Sequence, residues 1–310
     1  MSAEEELAYL SPTKDMLLTV GVFDGVHLGH KHLLAELVEK ARLENLISGV
    51  VTFRQHPQSL FEPHSSLEIL TSLPQKIKLL KDEGIEVIIT LNFTLELAQI
   101  GIQQFIGLLK KYLKMRGLVV GPDFAMGRNR EGDIDTLHTL EKSIDFNLTV
   151  IPPIIKNNEL ISSTTIRNAL AQGGMERVHD MLGRYFSLEG RVIAGSGRGK
   201  DLGFPTANID IDPVQALPAD GIYATLAYID DQPRQSITNI GCRPTFGEME
   251  RAVEVHIFDY NGELYRRNLK VDIIERLRGE QRFATTDELV KHITQDISEA
   301  RAALSRPGSD

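Results

Sequence analysis

The chain has 310 residues, more than one ordinary domain holds, so two domains are expected. Its 42% hydrophobic and 25% charged residues are those of a soluble globular fold, and the single cysteine, Cys242, excludes an intramolecular disulfide or a multi-cysteine metal site. A net charge of −9 argues against a nucleic-acid coat, which needs a basic face, but not against nucleotide substrates held by a few local donors.

The acidic start MSAEEELAYLSPTKD lacks the basic segment and apolar run of a signal peptide. No run of about 18 apolar residues occurs, so neither a membrane span nor a membrane partner is expected, and a reducing cytoplasm suits the lone cysteine. Residues 16–23 form an apolar strand ending in a Gly/Asp turn, and Leu33, Leu34, Leu37, Val38 and Ala41 then share a helical face. Strands follow at 47–53, 87–91, 118–121 and 148–154, with helices at 74–84, 103–114 and 134–143. Strands alternating with helices predict a parallel sheet covered on both faces. Residues 161–182 read as a helical bridge. From Phe186 to Leu277 the segments are short, β-rich and punctuated by Gly, Pro and Asp, which predicts an antiparallel barrel. The last helix carries Leu289, Ile293, Ile297, Ala300 and Leu304 on one stripe, with Thr285 and Glu288 at capping-box spacing.

The string Gly21-Val22-Phe23-Asp24-Gly25-Val26-His27-Leu28-Gly29-His30 lies where the first strand gives way to the first helix. Open parallel sheets bind ligands at that edge. His27 and His30, three residues apart, share one side of a first helical turn. Free amides and the positive dipole end favour anions there, and two imidazoles can donate hydrogen bonds to a phosphate as charge develops on it. Taken alone, the pair also fits two satisfied cap histidines beside glycines that only turn the chain. Ser162, Ser163 and Thr164 place small hydroxyls at a helix start, and Arg167 can fork onto phosphate oxygens. Ordinary helix capping is the plain alternative. Neither a Walker loop nor a clean GxGxxG is present.

The ten-residue string as a whole resembles the HxGH signature of the nucleotidyltransferase superfamily, whose members attack the α-phosphate of a nucleoside triphosphate and release pyrophosphate. Residues 161–167 resemble the SSTxIR element of its flavin branch. Thr52-Phe53 with His56-Pro57 resembles the TFxPHP turn, and residues 119–124 with Gly127 resemble VVGxDFxFG. The resemblance implies catalytic roles for His27, His30 and Arg167. It implies nucleotide contacts from Gly21, Phe23, Asp24, Gly25, Gly29, Ser162, Ser163 and Thr164, and flavin contacts from Phe53, His56, Pro57, Asp123 and Phe124. Gln55 stands in place of the usual proline, and Ala125-Met126 in place of Arg-Phe.

In the second half, Gly195-Ser196-Gly197-Arg198-Gly199-Lys200 makes a flexible, locally basic loop that can wrap a polyphosphate. Thr206 and Asn208 are two apart, so in extended chain they face the same way, and their oxygens suit Mg²⁺. A glycine-rich hairpin with Thr and Asn as turn residues is the alternative. The stretch from Gly197 to Asn208 resembles the riboflavin kinase signature GRGxxLGFPTAN, and residues 239–247 its NIGxRPTFG. Val253, Val255 and Ile257 alternate with Glu254 and His256, which by itself describes the wet side of a half-buried strand. In the riboflavin kinase pattern the glutamate here is the catalytic base. The resemblance therefore nominates Glu254 to take the proton from the ribityl 5′-hydroxyl as it attacks the γ-phosphate. Arg278 and Phe283 match the closing RxExxF element, with implied flavin contacts, and Arg266 stands where a glycine is expected after Leu264-Tyr265.

Together the resemblances span roughly residues 16–304 in the order of bacterial bifunctional riboflavin kinase/FAD synthetases. They imply a Rossmann-like nucleotidyltransferase domain with its helical bridge in 1–183, and a riboflavin kinase β-barrel with a terminal helix in 184–310. The implied substrates are riboflavin, FMN and ATP with Mg²⁺, and the products FMN and FAD. The departures at Gln55, Ala125 and Met126 leave a second reading open, a riboflavin kinase whose N-terminal domain only binds nucleotide or flavin.

Overall fold

Short apolar runs alternating with amphipathic stretches fold as a parallel sheet with helices on both faces. A computed structural model describes residues 2–9, 12–61, 68–156, 159–195, 197–244 and 249–306. The chain divides into one unit ending at Ser163 and another beginning at Thr164. The first holds α1 (Ala3–Ala8), β1 (Met16–Val20), α2 (Leu28–Leu43), β2 (Ile47–Phe53), α3 (Pro57–Phe61), α4 (Leu73–Asp82), β3 (Val87–Leu91) and α5 (Leu95–Ala98). It continues with α6 (Ile102–Leu113), β4 (Met115–Val120), α7 (Ile134–Ile144), β5 (Asn147–Val150) and the small hairpin β6 (Ile155–Lys156) and β7 (Glu159–Leu160). The five main strands are parallel in the order β3-β2-β1-β4-β5, so the order reverses beside β1.

Successive side chains of β1 serve opposite cores. Leu17 belongs with Leu34, Leu37 and Ala41 of α2 and Leu80 of α4, whereas Leu18 and Val20 belong with Phe105, Ile106 and Leu109 of α6. The fifth strand stops at Val150 rather than 154, because Pro152 and Pro153 have no amide for a ladder. The acidic start contains a helix the pattern does not announce. Ser2 and Glu5 close a capping box, and buried Glu6 accepts hydrogen bonds from Arg54 Nη1 at 3.0 Å and Asn92 N at 2.9 Å.

The bridge at 161–182 is two helices, α8 (Ser163–Ala171) and α9 (Met175–Leu182), separated at Gly173, whose φ is +72°. Beyond it lie β8 (Phe186–Ile193), α10 (Arg198–Asp201), β9 (Ala207–Asp210), β10 (Gly221–Ile229), β11 (Gln232–Pro244), β12 (Met249–Ile257), β13 (Asn268–Arg278) and α11 (Thr286–Leu304). Six strands close an antiparallel barrel in the order β10-β11-β12-β9-β8-β13. Strand β11 runs for 13 residues, longer than its local punctuation suggests, because it pairs with β10 on one side and β12 on the other. Ile297, Ala300 and Leu304 of α11 pack with Ala224, Ile237 and Phe258, while Leu289 and Ile293 are only half-buried. Thr285 caps this helix, accepting from Glu288 N at 3.2 Å. No helix among the described residues is long and apolar enough to cross a membrane.

Candidate functional site

The turn after β1 is strained. Phe23 and Val26 have φ of +52° and +37°, and Gly25 has +82°. A β-branched residue at positive φ persists only where its surroundings over-determine it. The buried Asp24 carboxylate accepts from Leu70 N at 2.9 Å and Thr71 N at 3.2 Å, and Gly25 N donates to Thr71 Oγ1 at 3.1 Å. Ser163 Oγ donates to Asp24 O at 2.8 Å across 139 positions of sequence. The two strings therefore meet at Ser163.

Past this turn, His27 caps α2, its Nδ1 accepting from His30 N at 3.3 Å. With Nδ1 accepting, a neutral His27 carries its proton on Nε2 and offers an N–H donor. The His27 and His30 rings stack at 3.7 Å, and Phe23 flanks His30 at 5.0 Å. A Cβ at position 29 would lie 3.2 Å from the His27 ring, so Gly29 leaves that ring its place. Burial and the nearby His27 and Lys76 charges hold the His30 imidazole well below its usual value, so it is neutral near pH 7. A neutral His30 at a helix start keeps one N–H to donate to a phosphate.

Gly21 closes β1, its amide donating to Val51 O at 3.0 Å. Phe53 ends β2 and meets Phe93 edge-on at 5.2 Å, while His56 Nδ1 accepts from Gln58 N at 3.2 Å and Pro57 opens α3. Exposed Asp123 and half-buried Phe124 sit in a turn directly after β4, closed by Phe124 N to Gly121 O at 3.3 Å. These residues all follow the carboxyl ends of β1, β2 and β4, one edge of the sheet. Ser162 is half-buried, Thr164 exposed, and Arg167 half-buried one turn into α8.

One residue here escaped the sequence pattern. Lys76 on α4 is only 6% exposed, and its Nζ donates to Val22 O at 3.0 Å and Phe53 O at 2.9 Å. Its signal was a lysine at a helical spacing otherwise taken by Leu73 and Leu80.

In the second unit, Glu254 of β12 pairs with Asn208 of β9 on one side and Asn239 of β11 on the other. Directly opposed residues in an antiparallel ladder project on one face. Val253, Val255 and Ile257 are buried while Glu254 and His256 are half-buried, as the alternation predicts. His256 Nδ1 lies 2.8 Å from Pro205 O, tying β12 to the stretch before β9. A Cβ at Gly195 would collide with the Asn208 amide, and one at Gly199 would come within 3.1 Å of Thr206 Oγ1. The glycine loop therefore rests on the two oxygen-bearing side chains. It is less irregular than its composition suggests, because residues 198–201 form one helical turn. Arg198 opens that turn, Gly197 precedes it with φ +77°, and Lys200 is exposed. Asn208 is buried and Thr206 exposed. Ser196, Thr245, Phe246 and Gly247 lie outside the described residues.

Arg278, at the end of β13, forks onto Asp296 of α11 at 2.8 and 2.7 Å. Its guanidinium carbon also lies 5.8 Å from the Phe283 ring, which meets His292 at 4.8 Å. Arg266 has φ of +66°, so it occupies the left-handed conformation that a glycine adopts without strain.

A nucleotidyltransferase-type parallel sheet followed by a flavokinase-type barrel is the class of protein these two sites define. Residues 10–165 match the family described as FAD synthetase, and residues 182–304 the family described as riboflavin kinase. The bifunctional riboflavin kinase/FMN adenylyltransferase of Escherichia coli K12 is 36% identical over 301 residues, covering 96% of each chain. The protein of the same name from Bacillus subtilis 168 is 32% identical over 290 residues, covering 92% of this chain and 91% of the relative. A crystal structure named as a macrolide-efflux protein of Streptococcus pneumoniae shares the fold, with a TM-score of 0.86, 29% identity and coverage of 94% of this chain and 95% of that one. The chain belongs to the bifunctional riboflavin kinase/FMN adenylyltransferase family.

Proposed function

We propose that this protein phosphorylates riboflavin to FMN at the barrel and adenylylates FMN to FAD at the parallel sheet, consuming one ATP at each site. The observation that carries the reading is the joint occurrence of both site geometries, the Asn208–Glu254–Asn239 row and the His27–His30 stack, in a chain that matches both families. At the barrel, Glu254 takes the proton of the ribityl 5′-hydroxyl. The hydroxyl oxygen bonds to the γ-phosphorus, the bond from that phosphorus to the β,γ-bridging oxygen breaks, and ADP leaves. Thr206 and Asn208 would hold Mg²⁺, as hard oxygen donors complemented by phosphate and water, and the ion would supply charge neutralisation on the transferred group. The glycine loop carrying Gly195, Gly197, Arg198, Gly199 and Lys200 covers the triphosphate, while Arg278 and Phe283 border the flavin.

At the sheet, an FMN phosphate oxygen bonds to the α-phosphorus of ATP and pyrophosphate leaves. His27, His30 and the hydroxyls of Ser162 and Ser163 donate to the phosphates as charge builds. Gly21, Phe23, Asp24, Gly25 and Gly29 shape that cradle, and Phe53, His56, Pro57, Asp123 and Phe124 border the flavin. We assign 1–183 to adenylyl transfer and 184–310 to the kinase, and place the enzyme in the cytoplasm, where its single thiol stays reduced. One chromatographic time course from riboflavin, ATP and Mg²⁺ tests the reading. FMN is expected first and FAD after it. FMN that accumulates without FAD would remove adenylyl transfer, and no ADP at all would remove the kinase.

A further inference from the structure

The strained turn that presents His27 and His30 is fastened from behind by a lysine that no motif contains. Lys76 Nζ donates to Val22 O at 3.0 Å and to Phe53 O at 2.9 Å. Val22 lies inside the HxGH string and Phe53 ends the strand before His56, so one ammonium joins the two strings at the carboxyl ends of β1 and β2. Thr52 Oγ1 donates to the same Val22 carbonyl at 3.1 Å. The next residues of the turn, Phe23, Gly25 and Val26, all have positive φ. Strain of this kind relaxes when its clamps are removed.

Building on the adenylyltransferase reading above, we infer that Lys76 is a positioning residue for adenylyl transfer, holding the histidine turn in place and setting the charge environment of His30. The second role follows from where the clasp holds the ammonium, against the carbonyl of Val22 and so next to Phe23, whose ring lies 5.0 Å from that of His30. Among the described residues, charge on His27 of its own turn and on Lys76 of α4 acts against protonation of His30, and Asp24 acts in turn on Lys76. A fixed positive charge beside an imidazole disfavours its protonation, which keeps His30 neutral as pH falls.

Three full-length variants separate the clasp from the charge. Lys76→Met removes both, Lys76→Gln keeps donor hydrogens without charge, and Lys76→Arg keeps the charge. Misplacing a reacting group by about 1 Å costs on the order of 10²-fold in rate. Lys76→Met is therefore expected to lower kcat for FAD formation from FMN about 10²-fold while KM for ATP changes little and riboflavin phosphorylation is unchanged. The acid limb of the FAD-forming pH profile is expected to move to higher pH in Lys76→Met and Lys76→Gln, but not in Lys76→Arg. A merely structural lysine would not move that limb according to charge. If Lys76→Met does not fold by circular dichroism, the Gln and Arg pair decides. Wild-type kcat together with an unmoved limb in Lys76→Gln overturns the inference. Wild-type enzyme that forms no FAD overturns the adenylyltransferase reading itself.

Discussion

Glu254 and Asn208 stand directly opposite each other across the ladder between β12 and β9. The nominated base is thereby set beside an oxygen donor against which the glycine loop rests at Gly195. Strand pairing thus puts Glu254 and Asn208 on one face of the barrel, with Gly195 against Asn208.

From this pairing, Glu254→Ala is expected to lower kcat for riboflavin phosphorylation about 10²–10⁴-fold, the usual worth of a general base. ATP binding and FAD formation from supplied FMN will persist. Steady-state assays of each half-reaction, with calorimetric titration of an ATP analogue, check this; an unchanged kcat removes Glu254 from the role.

The stacked imidazoles make a converse prediction. His27→Ala combined with His30→Ala will suppress pyrophosphate release by at least about 10²-fold, the cost of one lost donor at a developing anion. FMN formation will be spared. Loss of both activities together would mean that the functions are not divided between the two units as assigned.

Lys76 also gives a stability signature. Burial lowers its ammonium from 10.5 to about 8, opposed in part by Asp24. Its folded value lies below the unfolded one, so the unfolded chain holds more protons across that window. Stability is therefore present above 10.5 and lost as pH falls through about 8, by on the order of 3 kcal/mol. Denaturant unfolding of wild type and Lys76→Met will converge or cross over this range. A parallel pair of curves would show that the lysine titrates normally.

The Arg278–Asp296 fork ties β13 to α11, with side chains only 18% and 5% exposed. Removing one partner leaves the other buried and uncompensated, so Asp296→Ala is expected to cost about 3–5 kcal/mol. Thermal unfolding measures the loss, and riboflavin phosphorylation will weaken with it because Phe283 lies over the same guanidinium.

Arg266 offers a gain in stability. Relief of a left-handed residue is worth about 1–2 kcal/mol, against roughly 0.5–1 kcal/mol of glycine entropy. Arg266→Gly is therefore expected to stabilise the chain by about 0.5–1 kcal/mol, read as a higher denaturation midpoint at unchanged slope.

Much of this was legible before any coordinates. The apolar stripe of α2, the alternation of β12 and the cap at Thr285 appear where period and residue type place them, because each depends on neighbours within a turn or two. Helix α1 was not legible, since its amphipathic signal is short and its anchor, Glu6, works through Arg54 and Asn92 far along the chain. The break at Gly173 was hidden for a different reason, because a glycine pair within a helical pattern shows its left-handed turn only in three dimensions.

Residue order alone determined the alternation of strands and helices, the β-rich second half, and the strings that resemble the signatures of the two families. Those features are local, fixed by side-chain period and by the spacing of glycines, histidines and hydroxyls. Only the tertiary structure decided that Ser163 meets Asp24, that Asn208 and Asn239 flank Glu254, that Arg278 is held by Asp296, and that a lysine lies behind the histidine turn. Each of these joins positions far apart in the chain. Their geometry depends on sheet order and register, which no short window of sequence contains.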